Sequence, residues 1–285
     1  MAGTATAEPK TARPPARGQK GRARPKRRRD LRAYLSVVRP IEAEALLILA
    51  LFIFAMLMRW PYLLRLPHFT DEIGEIRWIL GIWRGEHFPL TAQVKYFGPV
   101  HHYFVALCFW LLGPSLTLPR AIVCVFGALT VVLTYLIGRE LGGWRGRALA
   151  AALLATLPQH IVVNSHVAWA NSTPPFYAAV CFWAVLRACK ALGTVPDGRG
   201  ATVGAAASGP AAAPAPRVGR VARYLLLAGF AFGLMMQTHV GTVVLAPALA
   251  GTFLVALWRA RAWRVLRSPW IYLSAAAAAL AYSPV

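Results

Sequence analysis

Gly98-Pro-Val-His-His-Tyr-Phe-Val-Ala-Leu-Cys-Phe-Trp-Leu-Leu112 is the stretch on which the topology turns. It is apolar and bracketed by Pro99 and Pro114, yet short of the ~20 residues a helix needs to cross a bilayer. Suppose it does not cross, but lies at or dips into the outer face. A first span at about 41–58 then leads outward, and the later spans fall at about 118–138, 148–163, 174–186, 224–238, 241–258 and 270 onward. The loops placed inside carry Arg139, Arg145 and Arg147; Arg187, Lys190, Arg199, Arg217, Arg220 and Arg223; and Arg259, Arg261, Arg264 and Arg267. The loops placed outside, 164–173 and 239–240, carry no Lys or Arg. If the run does cross, all three basic loops move outside. The positive-inside rule therefore favours the non-crossing arrangement.

Composition points the same way. Hydrophobic residues make up 58% of the chain and charged residues 14%, which excludes an ordinary soluble domain. The fold class expected is all-α, a polytopic transmembrane helical bundle. The net charge of +21 does not point to nucleic acid, because the basic residues sit at the ends of apolar segments, where they set orientation and attract anionic membrane lipids. Residues 1–40 read as a disordered, basic cytoplasmic tail with Lys26-Arg-Arg-Arg29 its densest point. Residues 41–285 read as the membrane domain, with an outer loop at 60–98 and a flexible Ala/Gly/Pro-rich cytoplasmic loop at 191–222. That makes an integral, multi-pass protein of the plasma (inner) membrane with its N-terminus cytoplasmic. The chain stops within an apolar run, as an N-terminal fragment of a longer chain would. Cys108, Cys124, Cys181 and Cys189 lie in or beside apolar runs without metal-like spacing and read as small buried hydrophobes.

The outer loop concentrates the acids. Asp71, Glu72, Glu75 and Glu86 fall here, four of the ten Asp and Glu in the chain. A helix is expected from Asp71 to Arg84, with Thr70 as N-cap and Asp71 and Glu72 in the first turn, where the macrodipole favours negative charge. Ile73, Ile76, Leu80 and Trp83 would form one face lying on the bilayer. In the non-crossing arrangement three segments meet outside: this helix, Lys95 to Tyr103, and Asn164 to Thr173. The turn with Gln237 and His239 joins them. Carboxylate, lysine, histidines and amides around one cavity suit transfer from a phosphate-linked lipid donor. A base deprotonates the acceptor hydroxyl while cations or a divalent metal neutralise the leaving phosphate.

Four features resemble the GT-C type membrane glycosyltransferases, especially glycosyltransferase family 39, which includes protein O-mannosyltransferases and the lipid A aminoarabinose transferase. They are Asp71-Glu72 soon after the first span; Lys95 and Pro99 with Tyr103; Leu118-Pro-Arg120 opening a span that closes with Tyr135-Leu-Ile-Gly-Arg-Glu-Leu141; and Leu157-Pro-Gln-His-Ile161 followed by Ser165-His-Val-Ala-Trp-Ala-Asn171. The resemblance implies inverting transfer from a polyprenyl-phosphate sugar to a lipid, glycan or protein hydroxyl. It makes Asp71 the general base or a metal-associated carboxylate and Lys95 the phosphate-binding residue. Asn171 stands where many members have Asp, and His166 where many have Arg; an amide is no base and a poorer metal ligand.

The substrate-binding candidates are Glu72, Lys95, Arg120, His102, His166, Asn171 and His239. His166, Asn171 and His239 would line the cavity; the others have a plainer reading. Glu72 and Glu75 could serve structure alone, Lys95 could snorkel, and Arg120 could pair with an outer carboxylate instead of phosphate. His101 and His102 are more often interfacial polar residues than metal ligands. The rival functions are a transporter or flippase, which needs charged residues at the midplane of its spans, and a non-catalytic scaffold.

Overall fold

The computed structural model describes Gly3 and residues 31–91, 97–193 and 218–283, with backbone alone for 31–41, 62, 144 and 145. The expectations for residues 4–30, for Lys95 and for loop residues 194–217 lie outside the described residues. The chain divides into two units, Met1–Glu44 and Ala45–Val285. Of the first, the described part is Gly3 and the helical stretch from Leu31. The second holds the packed bundle, and every contact below lies within it.

The described residues form helices joined by turns and short loops, with many boundaries set by proline and glycine. Helix α1, Leu31–Arg59, begins ten residues before the expected span and runs through Pro40. Helix α2, Thr70–Trp83, takes Thr70 as its first helical residue, so the N-cap is Phe69 and not Thr70. Glu72 accepts the Phe69 amide at 3.2 Å, which closes the start of the helix from inside the first turn. At the other end Gly85 has φ +74. Its amide donates to Ile82 and the Glu86 amide to Gly81, a terminating pair of bonds that needs a left-handed residue there.

Helix α3 is Val100–Leu112, stopped by Gly113 at φ +84. Its 13 residues rise about 20 Å, short of the ~30 Å hydrocarbon core. Ile79 and Ile82 of α2 pack on Val105, Ala106 and Phe109 of α3. This corrects the bilayer-lying face: Ile76 is buried and Ile73 exposed, because α2 has a neighbouring helix to cover it.

Helix α4 is Thr117–Leu141. Helices α5, Trp144–Thr156, and α6, Pro158–Ser165, form one apolar run bent by 62°. Pro158 lacks the amide that would continue the ladder and holds Leu157 extended, at ψ 114. Helices α7, Pro174–Ala191, and α8, Val218–Thr238, follow. Then come a 3-10 segment Val240–Leu245, α9 at Ala246–Ala260, a second 3-10 segment Trp263–Arg267, and α10 at Pro269–Tyr282.

Among the described residues, three helical segments, Thr117–Leu141, Val218–Thr238 and Val240–Ala260, are long and apolar enough to cross a membrane, or four with the bent pair. The expected number was larger. The difference lies in charges and length: α1 carries Glu42, Glu44 and Arg59, α7 ends in Arg187 and Lys190, and α10 has 14 residues. Large apolar side chains such as Leu149, Leu153, Phe230, Leu254 and Leu280 face outward, the surface of a bundle solvated by lipid rather than water. The protein is therefore an all-α membrane bundle.

One ion cluster ties the helix ends. Glu140, at the end of α4, lies 2.9 Å from Lys190, 3.2 Å from Arg187 and 3.6 Å from Arg139. Arg187 also donates to the Tyr224 hydroxyl of α8 at 2.9 Å. Three cations in one place would repel without the carboxylate. Glu140→Ala is expected to destabilise by about 2 kcal/mol, less than a wholly buried pair because the arginines are partly solvated. A fall in the thermal unfolding midpoint in detergent, larger than that of Lys190→Ala, checks it.

Candidate functional site

The first turn of α2 is fixed by one buried ion pair. Glu72 is fully buried, and its two carboxylate oxygens accept from Arg120 Nε at 2.6 Å and Nη2 at 2.9 Å. Arg120 donates its remaining N–H groups to main-chain oxygens: Nη1 to Leu63 and Leu66, at 2.8 and 2.9 Å, and Nη2 to Pro67 at 3.1 Å. All five guanidinium donors are thus engaged. Of the two partners open to Arg120 from sequence, the structure shows the carboxylate. No N–H remains for phosphate. Burial pushes the Glu72 carboxyl upward, but Arg120 and the amides of Phe69 and Ala168 outweigh it and hold it below the ordinary 4.5.

The same carboxylate reaches the third segment, for Ala168 N donates to Glu72 Oε1 at 3.3 Å. Glu75, one turn on, accepts from Ala170 N at 2.8 Å and lies 3.5 Å from His102 Nε2 of α3. Trp169 meets Phe69 edge to face at 5.5 Å. Gly98, just before α3, donates its amide to Gln237 O at 2.6 Å. The starts of α2, α3 and α4, the 166–173 segment and the end of α8 are therefore joined by hydrogen bonds and the Glu75–His102 contact.

The candidate side chains then separate. Asp71 is exposed, and its carboxylate makes no hydrogen bond or ion pair with any described residue. Glu72 and Glu75 are buried and bound to main-chain amides. His102 is buried, stacks on Phe97 at 5.6 Å, and has Nδ1 enclosed without a partner among the described residues. Asn171 is half-buried with Oδ1 likewise unpartnered. His239 heads the 3-10 segment after α8, and its Nδ1 accepts from Gly241 N at 3.0 Å. His166 does not line a cavity. It is fully buried, with Nδ1 2.5 Å from Ile161 O and Nε2 2.8 Å from Arg59 O. The helix bend after Pro158 turns it inward. Among the described residues no three His, Cys, Asp or Glu side chains converge as a metal set.

Arg59, which is not among the sequence candidates, also supports this arrangement. It is fully buried at the end of α1. Nε donates to Ser165 Oγ at 3.0 Å and Nη1 to Ala55 O and Ala155 O at 2.9 and 3.2 Å. Nη2 lies 2.7 Å from His160 Nδ1, which must accept, since a guanidinium only donates. Arg59 thus holds the broken α5–α6 run where Pro158 frees a carbonyl. Gly127 of α4 leaves the room, because a Cβ there would collide with Ser165 Oγ. A charge closing an apolar run was the only signal for it in the sequence.

No family model matches the chain, and no solved structure matches it. Part of it is similar to the dolichyl-monophosphooligosaccharide--protein glycotransferase AglB of Haloferax volcanii, 34% identical over 110 residues. The match covers 35% of this chain and 10% of that protein, so the chain spans about a tenth of that relative's length. The similarity meets the family 39 expectation only at its coarser level, a membrane glycosyltransferase.

Proposed function

We propose that this chain belongs to a membrane glycosyltransferase that takes a sugar from a polyprenyl-phosphate-linked donor, with Asp71 as its catalytic carboxylate. The observation that carries the reading is the division among the three acids of α2. Glu72 and Glu75 fix the helix to Arg120 and to the 168–170 segment. Asp71 is held beside them, exposed and unpaired among the described residues. A base must reach the acceptor proton from a rigid mount. The partial similarity to a protein glycotransferase supports the donor class. In the reaction the acceptor oxygen bonds to the anomeric carbon as that carbon's bond to the donor phosphate breaks. The acceptor proton passes to Asp71, and the lipid phosphate leaves as an anion. His102 and Asn171 are the further side chains we assign to binding polar groups of donor or acceptor, since each keeps a polar atom without a partner among the described residues.

A transporter or flippase fits less well. The described charged residues of the three long apolar segments, Arg120, Arg139 and Glu140, Arg220 and Arg223, and Arg259, all lie near segment ends and none at a midplane. The test is transfer from a polyprenyl-phosphate sugar by the full-length protein in membranes. Asp71→Asn should reduce turnover by about a hundredfold or more with insertion and melting unchanged. Turnover retained by that variant removes Asp71 from the chemistry.

A further inference from the structure

The turn after α9 carries a second site. A cleft of about 440 Å³ is lined there by Trp258, Arg259, Arg261 and Trp263. We infer that it seats the phosphate headgroup of an anionic phospholipid. Val240–Ala260 is one of the three apolar segments long enough to cross a membrane, so the cleft lies where hydrocarbon gives way to headgroups. Two exposed indoles, Trp258 and Trp263, suit that depth, where an amphipathic ring finds both phases.

Charge selects the occupant. Arg259, Arg261, Arg264 and Arg267 are all exposed, and among the described residues none is paired with a carboxylate. The protein leaves four guanidinium groups unneutralised within nine residues of one another. Guanidinium matches phosphate oxygens with two parallel donors, and the surplus of positive charge favours a lipid of net negative charge over a zwitterionic one. The backbone adds an independent observation. Arg261 has φ +50 and ψ +32 and is the only non-glycine with positive φ among the described residues. Helices commonly end on glycine in this conformation, and an L-side chain there costs ~1 kcal/mol or more. Keeping an arginine in that strained place is what a site using its side chain would do.

The experiment uses the whole chain in phosphatidylcholine vesicles containing a minority of phosphatidylglycerol, with bromine on the acyl chains of one lipid or the other. Subtracting the tryptophan emission of a Trp258→Phe, Trp263→Phe double variant isolates the two indoles. Brominated phosphatidylglycerol should quench them more than brominated phosphatidylcholine at equal mole fraction, and added salt should diminish the excess. Arg259→Gln with Arg261→Gly should weaken the preference about thirtyfold, since each basic residue near an anionic surface contributes roughly fivefold. Glycine at 261 keeps the backbone conformation, so this variant should retain its helix content. Equal quenching by the two lipids overturns the proposal without any arginine variant. So does a preference that survives loss of both arginines, or one that millimolar inorganic phosphate abolishes, which would assign the cleft to the free anion.

Discussion

Replacing Arg120 with methionine is expected to lower the unfolding midpoint in detergent more than any other single change at the candidate site. The substitution strands Glu72, which is fully buried, and frees the carbonyls of Leu63, Leu66 and Pro67. Breaking one half of a buried pair costs about 3–5 kcal/mol, because the remaining charge keeps its desolvation without its partner. Removing both halves costs less for the same reason. Glu72→Met combined with Arg120→Met should therefore melt above Arg120→Met alone. It should not reach wild type, since the amides of Phe69 and Ala168 also lose an acceptor. If the single variant melts with wild type, or the double no higher than the single, the pair is not what fixes α2. Acid should act in the same direction. The Glu72 carboxyl is held below 4.5 in the folded protein, so the unfolded chain binds its proton first as pH falls. The pair's contribution is complete above about 4.5 and is lost as pH drops through the lower folded value. A Glu72→Gln variant should lack that component of the acid transition.

The helices were largely legible because proline and glycine punctuate them. Pro99 opens α3 and Pro269 opens α10, but the stretch 148–163, expected as one span, is broken at Pro158. That Glu72 and Glu75 could serve structure was legible; which groups they bind was not. Glu75 stands four residues after Asp71 and three after Glu72, so helical spacing groups all three on neighbouring positions of one side. The division between structural and free carboxylates depends on Arg120, 48 residues from Glu72, and on main-chain amides near residue 170. No local pattern encodes those distances. Arg59 was not singled out at all, and Glu140 entered only as part of the motif that closes α4; the partners of both lie on distant segments. His166 was placed with the cavity because its loop was. The bend at Pro158 instead turns it between the carbonyls of Ile161 and Arg59.

One packing signal was present in the sequence and went unread: Gly229-Phe-Ala-Phe-Gly233, two glycines one turn apart on α8. In the structure that ridge lies against α10. A Cβ on Gly229 would collide with the Ser274 carbonyl, and one on Gly233 with the carbonyl of Ala278. Ser274 Oγ donates to Leu225 O at 2.6 Å, which fixes the register. Helices surrounded by lipid gain nothing from hydrophobic burial against each other, so close backbone approach supplies the association. Two opposing effects follow from Gly→Ala here. Alanine favours the helix by up to about 1 kcal/mol. Overpacking costs about 1–3 kcal/mol when the obstacle can yield, and a main-chain carbonyl in a second helix yields less than a side chain. Sterics should win. Gly233→Ala is expected to lower the melting midpoint, and Gly229→Val with Gly233→Val to detach α10 and expose it to protease. Gly251→Ala on α9 is the matched comparison, since a Cβ there meets nothing within 4 Å; it should be neutral or slightly stabilising. Ser274→Ala should cost less than about 1 kcal/mol, the ordinary size of one interhelical hydrogen bond in a membrane protein. If Gly233→Ala melts with Gly251→Ala, α8 and α10 are not held by close approach at these glycines. The contact would then have to rest on Gln237, which donates to Tyr282 O at 2.8 Å, and Gln237→Leu would become the more damaging change.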